Sequence, residues 1–461
     1  MSNVASIETA RKRRTFALSD SGNAERFAAQ HHNKCRYVAK WKTWMVWDGR
    51  RWTADVRGAV DLLGKETIRS IDEEVKREQD DDERKRLRAW AAKSESRAGR
   101  ENIISLARAE LAAAPDDFDR EPWDLNVENG TLDLRTGELR PHRREDFITK
   151  LAPVAYDPNA TSPLWTAFLE RVMGANAALT GYLQRIIGYA LTGTTSEHVL
   201  VFSHGSGDNG KSVFHRTISD MLGDYSSKAP RGLLSEPKGE RHPTELADLF
   251  NARLVLCPEV KRGQRFDEAL IKDLVGEDKI KARKMHQDFW EFTPTHKLFI
   301  CGNHKPVIQG ADHGIWRRIR LVPWSVTIPA DEKDRALLGK LAKEFPGILA
   351  WAVRGCLEWQ KSGLGEPPEV DAATEAYREE SNPLAEFFAS RCTFDPSARV
   401  ARAALRSSYE AWAKEVGAEP IGAKRFAESL RDRGVTEGPR LYVAAHGTSR
   451  DSWQGVQLVA T

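Results

Sequence analysis

A glycine-rich segment near the middle of the chain constrains the fold more than any other feature of the sequence. It fits G-x-x-x-x-G-K-[S/T] and lies between an apolar run at residues 199–202 and a helical pattern at residues 213–222. A strand that leads through such a turn into a helix directs several backbone N–H groups at one anion. The segment therefore predicts a phosphate-binding loop made of Gly205, Ser206, Gly207, Asp208, Asn209, Gly210, Lys211 and Ser212.

Two side chains of this loop have defined roles in nucleotide sites. We expect Lys211 to contact the β and γ phosphates and the Ser212 hydroxyl to bind Mg²⁺. The chain contains no N-K-x-D sequence of the kind that reads guanine in GTPases. ATP and Mg²⁺ are therefore the expected cofactors.

Two further apolar runs follow the loop, and each leads to a polar residue. Residues 254–257 precede Glu259, and residues 298–301 precede Asn303. In parallel α/β sheets such residues meet at the carboxyl edge, where ligands bind. We expect Glu259 to bind Mg²⁺ with Ser212 and to activate the attacking water, and Asn303 to contact the γ-phosphate or that water.

A pair of arginines, Arg317 and Arg318, comes after the third apolar run. An arginine stabilises the charge that builds on the transferred phosphoryl group, and it often comes from another protein or subunit. The alternative is a pair of surface arginines bound to nearby acids. The sequence leaves open which of the two would act in the neighbouring subunit.

A basic segment lies between the second and third apolar runs. Basic residues alternate with apolar ones up to Arg283, and an aromatic run begins at Phe289, which predicts a hairpin with one basic face. Such a hairpin either contacts nucleic-acid phosphates or is simply solvated. The candidate DNA-binding residues are Lys281, Arg283, Lys284 and His286.

The composition limits the class of protein without identifying it. Lysine and arginine number 70 against 67 aspartates and glutamates, so contact with nucleic acid would have to come from local basic patches. The five cysteines are scattered without a C-x-x-C pair, which favours a reduced compartment over a zinc ribbon or disulfide framework. No apolar run reaches the ~18 residues of a membrane span. We expect a cytoplasmic protein without a membrane partner.

The part ahead of the loop is expected to form an α+β domain. Residues 1–22 are polar and lack periodicity, which predicts a flexible basic tail. A helical pattern covers residues 59–111, and alternating runs with Asn-Gly and Thr-Gly turns at 126–139 predict a β meander. A tryptophan-rich hairpin precedes both, and its aromatics are either a base-stacking platform or core residues. These aromatics are Trp41, Trp44, Trp47 and Trp52.

In their order along the chain, these motifs resemble those of the superfamily 3 helicases of phage, plasmid and poxvirus primase–helicases. The resemblance extends upstream through N-G-T-L-D-L-R-T-G at 129–137 and G-Y-A-L-T-G at 188–193. The segments that carry it are G-S-G-D-N-G-K-S at 205–212, R-L-V-L-C-P-E at 253–259, I-K-A-R at 280–283, N-H-K-P at 303–306 and W-R-R-I at 316–319.

The resemblance implies an AAA+-type motor that forms a homohexamer around single-stranded or forked DNA. ATP would lie between subunits, the hairpin would follow the strand through the central pore, and movement would be 3′→5′. Lys211, Ser212, Glu259 and Asn303 match the motif positions, and Lys305 fits the N-H-K-P motif. In this sequence Cys257 and Pro258 stand before the glutamate where small or acidic residues are usual, so Glu259 would serve both the metal and the water.

Members of this family often carry a primase domain ahead of the helicase. Here the helicase-associated domain begins near residue 23, so primer synthesis is not expected of this chain and a separate primase or replication protein is an expected partner.

The C-terminal part predicts a helical lid over residues 331–360 and then a winged-helix unit. Helices are expected at 400–416 and 422–433, followed by wing strands at 440–444 and 453–459. Lys424 and Arg425, with Arg431 and Arg433, are the candidate DNA contacts; the alternative is a unit that docks other proteins.

The expected fold is thus α/β: an AAA+-type P-loop motor with a parallel sheet, preceded by an α+β helicase-associated domain and followed by a winged helix. The expected boundaries are a basic tail (1–22), the helicase-associated domain (23–157), the motor (158–328), a helical lid and connector (329–380) and the winged-helix domain (381–461). The expected function is an ATP-dependent DNA helicase in replication of a phage, plasmid or integrated element. The alternatives are a nucleotide-dependent DNA-binding initiator or switch without translocation, and a P-loop kinase, which the basic hairpin does not suit.

Overall fold

The computed structural model describes residues 16–237, 244–260, 263–283, 289–308, 313–382, 384–417, 419–443 and 448–459. The chain contains both helices and strands, and the largest sheet of the described part has five strands, all parallel. The expected α/β class and parallel sheet are confirmed. Lys284 and His286 lie outside the described residues.

The N-terminal region combines helices with a small sheet of order β3-β2-β1-β4. The helical pattern predicted over residues 59–111 is divided into three helices because Asp80 and Ser96 cap new N-termini, where they accept hydrogen bonds from the Glu83 and Gly99 N–H groups. The elements are α1 (Asp20–His31), β1 (Cys35–Val38), β2 (Thr43–Trp47), β3 (Trp52–Ala54), α2 (Ala59–Arg77), α3 (Asp81–Ser94), α4 (Arg97–Glu110) and β4 (Ala112–Ala113).

The tryptophans of the N-terminal hairpin pack into the interior. Trp52 is 1% exposed, stacks on Phe147 with ring centroids 5.5 Å apart and donates its indole N–H to the Arg144 carbonyl at 2.8 Å. Trp41 is half-buried against Phe118, at 5.6 Å between centroids. The structure therefore favours the core interpretation of these aromatics over a base-stacking platform.

The predicted β meander is present; its first two strands are almost completely buried, whereas most of the third is exposed. It consists of β5 (Asp124–Val127), β6 (Gly130–Asp133) and β7 (Glu138–Arg140), paired antiparallel. Its apolar side chains share one hydrophobic core with α5 (Pro163–Val172), α6 (Ala177–Leu191) and residues 348–359. The meander is thus packed against the central region of the chain as well as following the N-terminal helices.

The central region is built on the parallel sheet, whose strand order is β14-β8-β13-β10-β9. Strand β8 lies between β14 and β13, and its last residue, His204, pairs with Pro323 and Gly302. The carboxyl ends of these strands therefore share one edge. The elements are β8 (Leu200–His204), α7 (Lys211–Leu222), β9 (Ser226–Lys228), α8 (Thr244–Ala247), β10 (Leu254–Cys257), α9 (Glu268–Leu274), β11 (Ile280–Ala282), β12 (Trp290–Phe292), β13 (Lys297–Gly302), α10 (His313–Trp316) and β14 (Ile319–Pro323).

The segment predicted as a lid contains α11 (Leu337–Ala342) and α12 (Phe345–Ser362), and α13 (Pro368–Glu380) follows. Helix α12 is a core helix: it packs along α6 so closely that a Cβ at Gly188 or Gly355 would collide with the other helix's backbone. Glycine is required at these positions because only a missing side chain permits such an approach. The beginning of the predicted lid, before α12, is therefore the part that faces solvent and the carboxyl edge of the sheet.

The C-terminal region has a hydrophobic core of its own. Its predicted helices are present, but the second wing strand was placed wrongly: β18 pairs with β17, whereas β19 pairs with β15. Gly455, with φ of +101°, separates β18 from β19. The elements are α14 (Ala385–Arg391), β15 (Cys392–Thr393), β16 (Arg399–Ala401), α15 (Arg402–Glu415), α16 (Ala423–Arg431), β17 (Thr436–Val443), β18 (Thr448–Gln454) and β19 (Gln457–Leu458).

Candidate functional site

The glycine-rich loop (residues 205–212) connects the end of β8 to the start of α7. A Cβ at Gly205 would collide with the Asn209 amide and the Trp324 carbonyl, so only glycine fits there. Gly210 has φ of +81°, and a Cβ on it would lie 2.6 Å from the Val172 side chain. These two glycines let the chain turn tightly and bring the N-terminus of α7 to the carboxyl edge of the sheet, as the sequence predicts.

Lys211 lies at the centre of this turn and is 4% exposed. Its Nζ donates to three acceptors: the Gly205 carbonyl at 3.0 Å, Asn209 Oδ1 at 2.8 Å and Asn303 Oδ1 at 3.1 Å. An ammonium group has three protons, so all of its donors are engaged within the protein. Burial lowers the pKa of Lys211 below its ordinary value, while the nearby Cys301 and Glu259 act in the opposite direction.

Glu259 and Asn303 come together at the same edge, although they are far apart in the sequence. Glu259 Oε1 accepts hydrogen bonds from the backbone N–H of Asn303 and from that of His304, the latter at 3.2 Å. No described residue donates to the other carboxylate oxygen of Glu259. One oxygen is thus fixed by the strand end, and the second is available for a ligand.

The oxygen atoms at this edge suit a hard cation such as Mg²⁺. The hydroxyl of Ser212 and the carboxylate of Glu259 line one cavity, and Mg²⁺ prefers oxygen ligands. Cys301 also lines that cavity. Burial raises the pKa of the Cys301 thiol, which keeps it protonated beside the predicted metal ligand.

The cavity bounded by the glycine-rich loop, here named the loop cavity, has a volume of about 700 Å³, within the range of small-molecule sites. One part of its wall is polar and contains Lys211, Ser212, Glu259 and Asn303. The opposite part is mostly apolar and comes from α5 and from residues 328–337. Its apolar members are Leu164, Ala167, Phe168, Val172, Ile328 and Leu337.

Arg317 and Arg318 lie at the other end of the sheet. The Arg318 carbonyl accepts a hydrogen bond from the N–H of Leu200, the first residue of β8, at 2.7 Å. The five-residue strand therefore separates both arginines from the glycine-rich loop by roughly 16 Å, at about 3.3 Å per residue. Neither side chain can reach the loop of its own chain.

The two arginines differ in their own surroundings. The Arg318 guanidinium donates to the Gly314 carbonyl at 2.7 Å and is half-buried. Arg317 is exposed and makes no ion pair or side-chain hydrogen bond with a described residue. Within the described structure, the guanidinium of Arg317 is therefore free to contact another molecule, whereas that of Arg318 is bound.

The basic hairpin forms as β11 and β12, with Lys281 opposite Glu291 in the register. Lys281 and Arg283 both lie over the ring of Phe289, with Lys281 Nζ 5.2 Å and Arg283 Cζ 4.9 Å from its centroid. Phe289 is 49% exposed. An exposed ring between two cations has the composition of a surface that binds single-stranded nucleic acid.

The candidate DNA contacts of the C-terminal region are unequally available. Lys424 is exposed and Arg425 is half-buried on α16. Arg431 forms an ion pair with Glu437 at 3.2 Å, and Arg433 lies over the ring of Phe388 at 4.9 Å. Lys424 is therefore the most accessible of these cations.

Sequence reasoning missed three residues that the structure brings to these sites: Cys301, Phe289 and Lys333. Phe289 had a signal, because an aromatic next to alternating basic residues is typical of nucleic-acid surfaces. Lys333 had none, since it lies in a segment without a motif and reaches the glycine-rich loop only through the fold. Its Nζ lies 2.9 Å from the carboxylate of Asp208.

Among the described residues, no helix is both long and apolar enough to cross a bilayer. In the same ranges, no group of three or more histidine, cysteine, aspartate or glutamate side chains is placed to hold a metal ion.

Two sequence families match this chain. Residues 24–174 match the family described as D5 N terminal like, and residues 203–318 match a family of unknown function, DUF5906. The second match includes the glycine-rich loop, Glu259, Asn303 and both arginines.

Several viral proteins are similar in sequence. A putative helicase of Acanthamoeba polyphaga mimivirus is 26% identical over 305 residues, which cover 60% of this chain and 32% of that protein. A putative helicase of Frog virus 3 is 24% identical over 402 residues (68% and 41%), and a putative primase of African swine fever virus is 24% identical over 312 residues (61% and 32%). The chain thus spans between about a third and two fifths of the length of these relatives.

A solved structure has a similar fold. The apo structure of the NrS-1 C-terminal region superposes with a TM-score of 0.50, covering 91% of this chain and 95% of that one at 9% identity. The two family matches and the relatives named as helicases and primases identify the chain as a member of a D5-like primase–helicase family.

Proposed function

We propose that this protein is an ATP-dependent DNA helicase whose AAA+-type P-loop motor acts as a homohexamer. The observation that carries the proposal is the meeting of Lys211, Asn303 and Glu259 at one edge of the sheet, with an exposed Arg317 at the other. The first three groups supply a phosphate contact, a contact to the reacting groups and a general base. The arginine supplies charge stabilisation only if a second subunit brings it.

The strand order supports an AAA+-type motor. Strand β8 leads into the glycine-rich loop and has β13, the strand that ends at Asn303, as its neighbour, with β10 and Glu259 one strand further. The three functional strand ends are consecutive, so loop, Asn303 and Glu259 face one bound nucleotide. Open α/β sheets bind ligands at this position.

ATP binding has to rearrange Lys211. In the described structure its three protons are bound by Gly205, Asn209 and Asn303, so a phosphate oxygen replaces at least one of these acceptors. Release of the Asn303 side chain would free its amide to contact the γ-phosphate or the water. Mg²⁺, held by Ser212 and Glu259, would supply neutralisation of the phosphate charge.

The DNA-binding role rests on the hairpin and on the C-terminal region. Lys281, Arg283 and Phe289 form a basic and aromatic surface. The three-stranded sheet of order β16-β18-β17, next to α15 and α16, supports the proposal that the C-terminal region is a winged helix. We propose that the hairpin contacts the strand in the ring, that Lys424 and Arg425 contact DNA outside it, and that movement is 3′→5′.

The test compares hydrolysis and strand separation by the full chain. We expect single-stranded DNA to stimulate ATP hydrolysis and a 3′-tailed fork to be unwound. The Lys211→Ala variant should lose both activities. Its affinity for ATP should be at least about tenfold weaker, which is the effect of losing a charge-assisted hydrogen bond. Hydrolysis without unwinding would instead support the DNA-binding switch. Phosphorylation of a nucleoside or sugar, with no response to DNA, would support a kinase.

The hairpin makes a separate prediction. Lys281→Ala with Arg283→Ala is expected to weaken binding to single-stranded DNA, and the slope of log affinity against log salt should fall by about 1.4, because each lost phosphate contact accounts for about 0.7. Hydrolysis without DNA should not change, since no described residue of the hairpin lines the loop cavity.

The matched control for this pair is Lys85→Ala with Arg86→Ala on α3, which removes two exposed cations that form ion pairs with Asp82 and Glu83. An unchanged salt slope in the hairpin variant, or an equal loss in the control, would contradict the hairpin assignment.

A further inference from the structure

The segment after β14 runs along the glycine-rich loop. The Trp324 N–H donates to the His204 carbonyl at 2.7 Å, and the Asn209 side chain donates to the Trp324 carbonyl at 3.2 Å. The Ile328 N–H then donates to the Asp208 carbonyl at 2.7 Å. Three successive contacts thus fix this segment against the loop, although it lies more than a hundred residues away in sequence.

Two adjacent side chains then hold the segment to both walls of the loop cavity. Glu332 pairs with Arg171 of α5 at 2.8 Å, and Lys333 pairs with Asp208 of the glycine-rich loop at 2.9 Å. All four of these side chains line the loop cavity. The backbone at 332–333 is therefore held at the cavity mouth, and the Lys333 ammonium is held at the loop.

Lys333 pairs with Asp208 and keeps donor capacity for a ligand. Asp208 places a carboxylate in a loop that has to receive a polyanion, and Lys333 neutralises it. One ion pair with Asp208 uses only part of the donor capacity of an ammonium with three protons, whereas those of Lys211 are all engaged. The Lys333 side chain is 42% exposed and lines the loop cavity, so it is accessible to a ligand bound there.

We propose that Lys333 is a further nucleotide-binding residue, which bridges Asp208 and the phosphate tail of the nucleotide. This inference rests on the proposed function, because it needs a nucleotide in the loop cavity. Its ligand is the polyphosphate and not the base, because the Lys333 ammonium is paired with Asp208 of the glycine-rich loop, the predicted phosphate-binding element. An exposed ion pair contributes little to stability by itself, so the pair exchanges readily with a phosphate oxygen.

The experiment measures equilibrium binding of ATP, ADP and AMP to the full chain in the presence of Mg²⁺. Lys333→Ala is expected to weaken the binding of ATP about tenfold or more, as for a lost hydrogen bond to a charged group. The binding of AMP should weaken by less than about twofold. Lys333→Arg should keep ATP affinity. The control Lys361→Ala, which breaks a similar exposed pair with Glu358 on α12, should change neither.

A second variant separates direct binding from simple neutralisation of Asp208. If Lys333 only screens Asp208, then Asp208→Asn added to Lys333→Ala restores ATP binding completely, and the proposal is wrong. If Lys333 binds phosphate, the double variant stays several-fold weaker than Asp208→Asn alone. Equal losses of affinity for ATP and for AMP in Lys333→Ala would also overturn the proposal. If the unmutated chain does not bind ATP, the proposed function itself is wrong.

Discussion

Arg317→Ala is expected to lower ATP hydrolysis by the assembled protein by about a thousandfold or more, the effect of removing an arginine that acts in trans. The physical reason is distance: β8 separates Arg317 from the glycine-rich loop of its own chain, so its only route to a nucleotide is through a neighbouring subunit. ATP affinity should change much less, because the binding groups of the loop remain.

Mixing two inactive variants tests this directly. A subunit with Lys211→Ala still carries Arg317, and a subunit with Arg317→Ala still carries an intact loop. In a mixed ring, some interfaces combine the intact loop of one with the arginine of the other. We therefore expect equimolar mixing to restore part of the hydrolysis, measured as phosphate release at fixed total protein.

Arg97→Ala is the matched control, because Arg97 is also an exposed arginine, on α4, and its partner in the described structure is Glu101. It should hydrolyse ATP normally. Hydrolysis by Arg317→Ala at the unmutated rate, or no recovery of hydrolysis on mixing, would contradict the role of Arg317. Arg318, whose guanidinium donates to the Gly314 carbonyl, would then be the candidate.

Glu259→Gln is expected to reduce hydrolysis by roughly a hundred- to ten-thousandfold, the usual contribution of a general base. ATP should still bind. The glutamine carbonyl can accept the same hydrogen bonds from the Asn303 and His304 N–H groups, so the strand end keeps its shape while the proton acceptor is lost. Single-turnover phosphate release and equilibrium ATP binding, measured on the same preparation, separate the two effects.

Glu358→Gln provides the control, since Glu358 is an exposed carboxylate on α12 that pairs with Lys361. Its hydrolysis should be unchanged. If Glu259→Gln loses affinity for ATP as strongly as it loses hydrolysis, Glu259 is a binding residue only. Fork unwinding that persists in Glu259→Gln would refute its catalytic assignment altogether.

The glycine-rich loop was predictable because its requirements are local. Gly205 and Gly210 are needed where a side chain would collide or where φ is positive, and such constraints appear directly as glycines in the sequence. The strands that end before Glu259 and Asn303 were predictable for a similar reason, because buried parallel strands appear as short apolar runs. The division of the 59–111 pattern into three helices was missed because two single capping residues decide it.

The α/β class, the glycine-rich loop and the residues that follow each central strand are predictable from the sequence, since they depend on local backbone geometry and apolar runs. Which of these residues meet depends on the fold. It places Lys211 on Asn303, separates Arg317 from the loop by the length of a strand, and brings Lys333 to Asp208. Such contacts join residues distant in the chain, and strand order and packing, which no local pattern encodes, determine them.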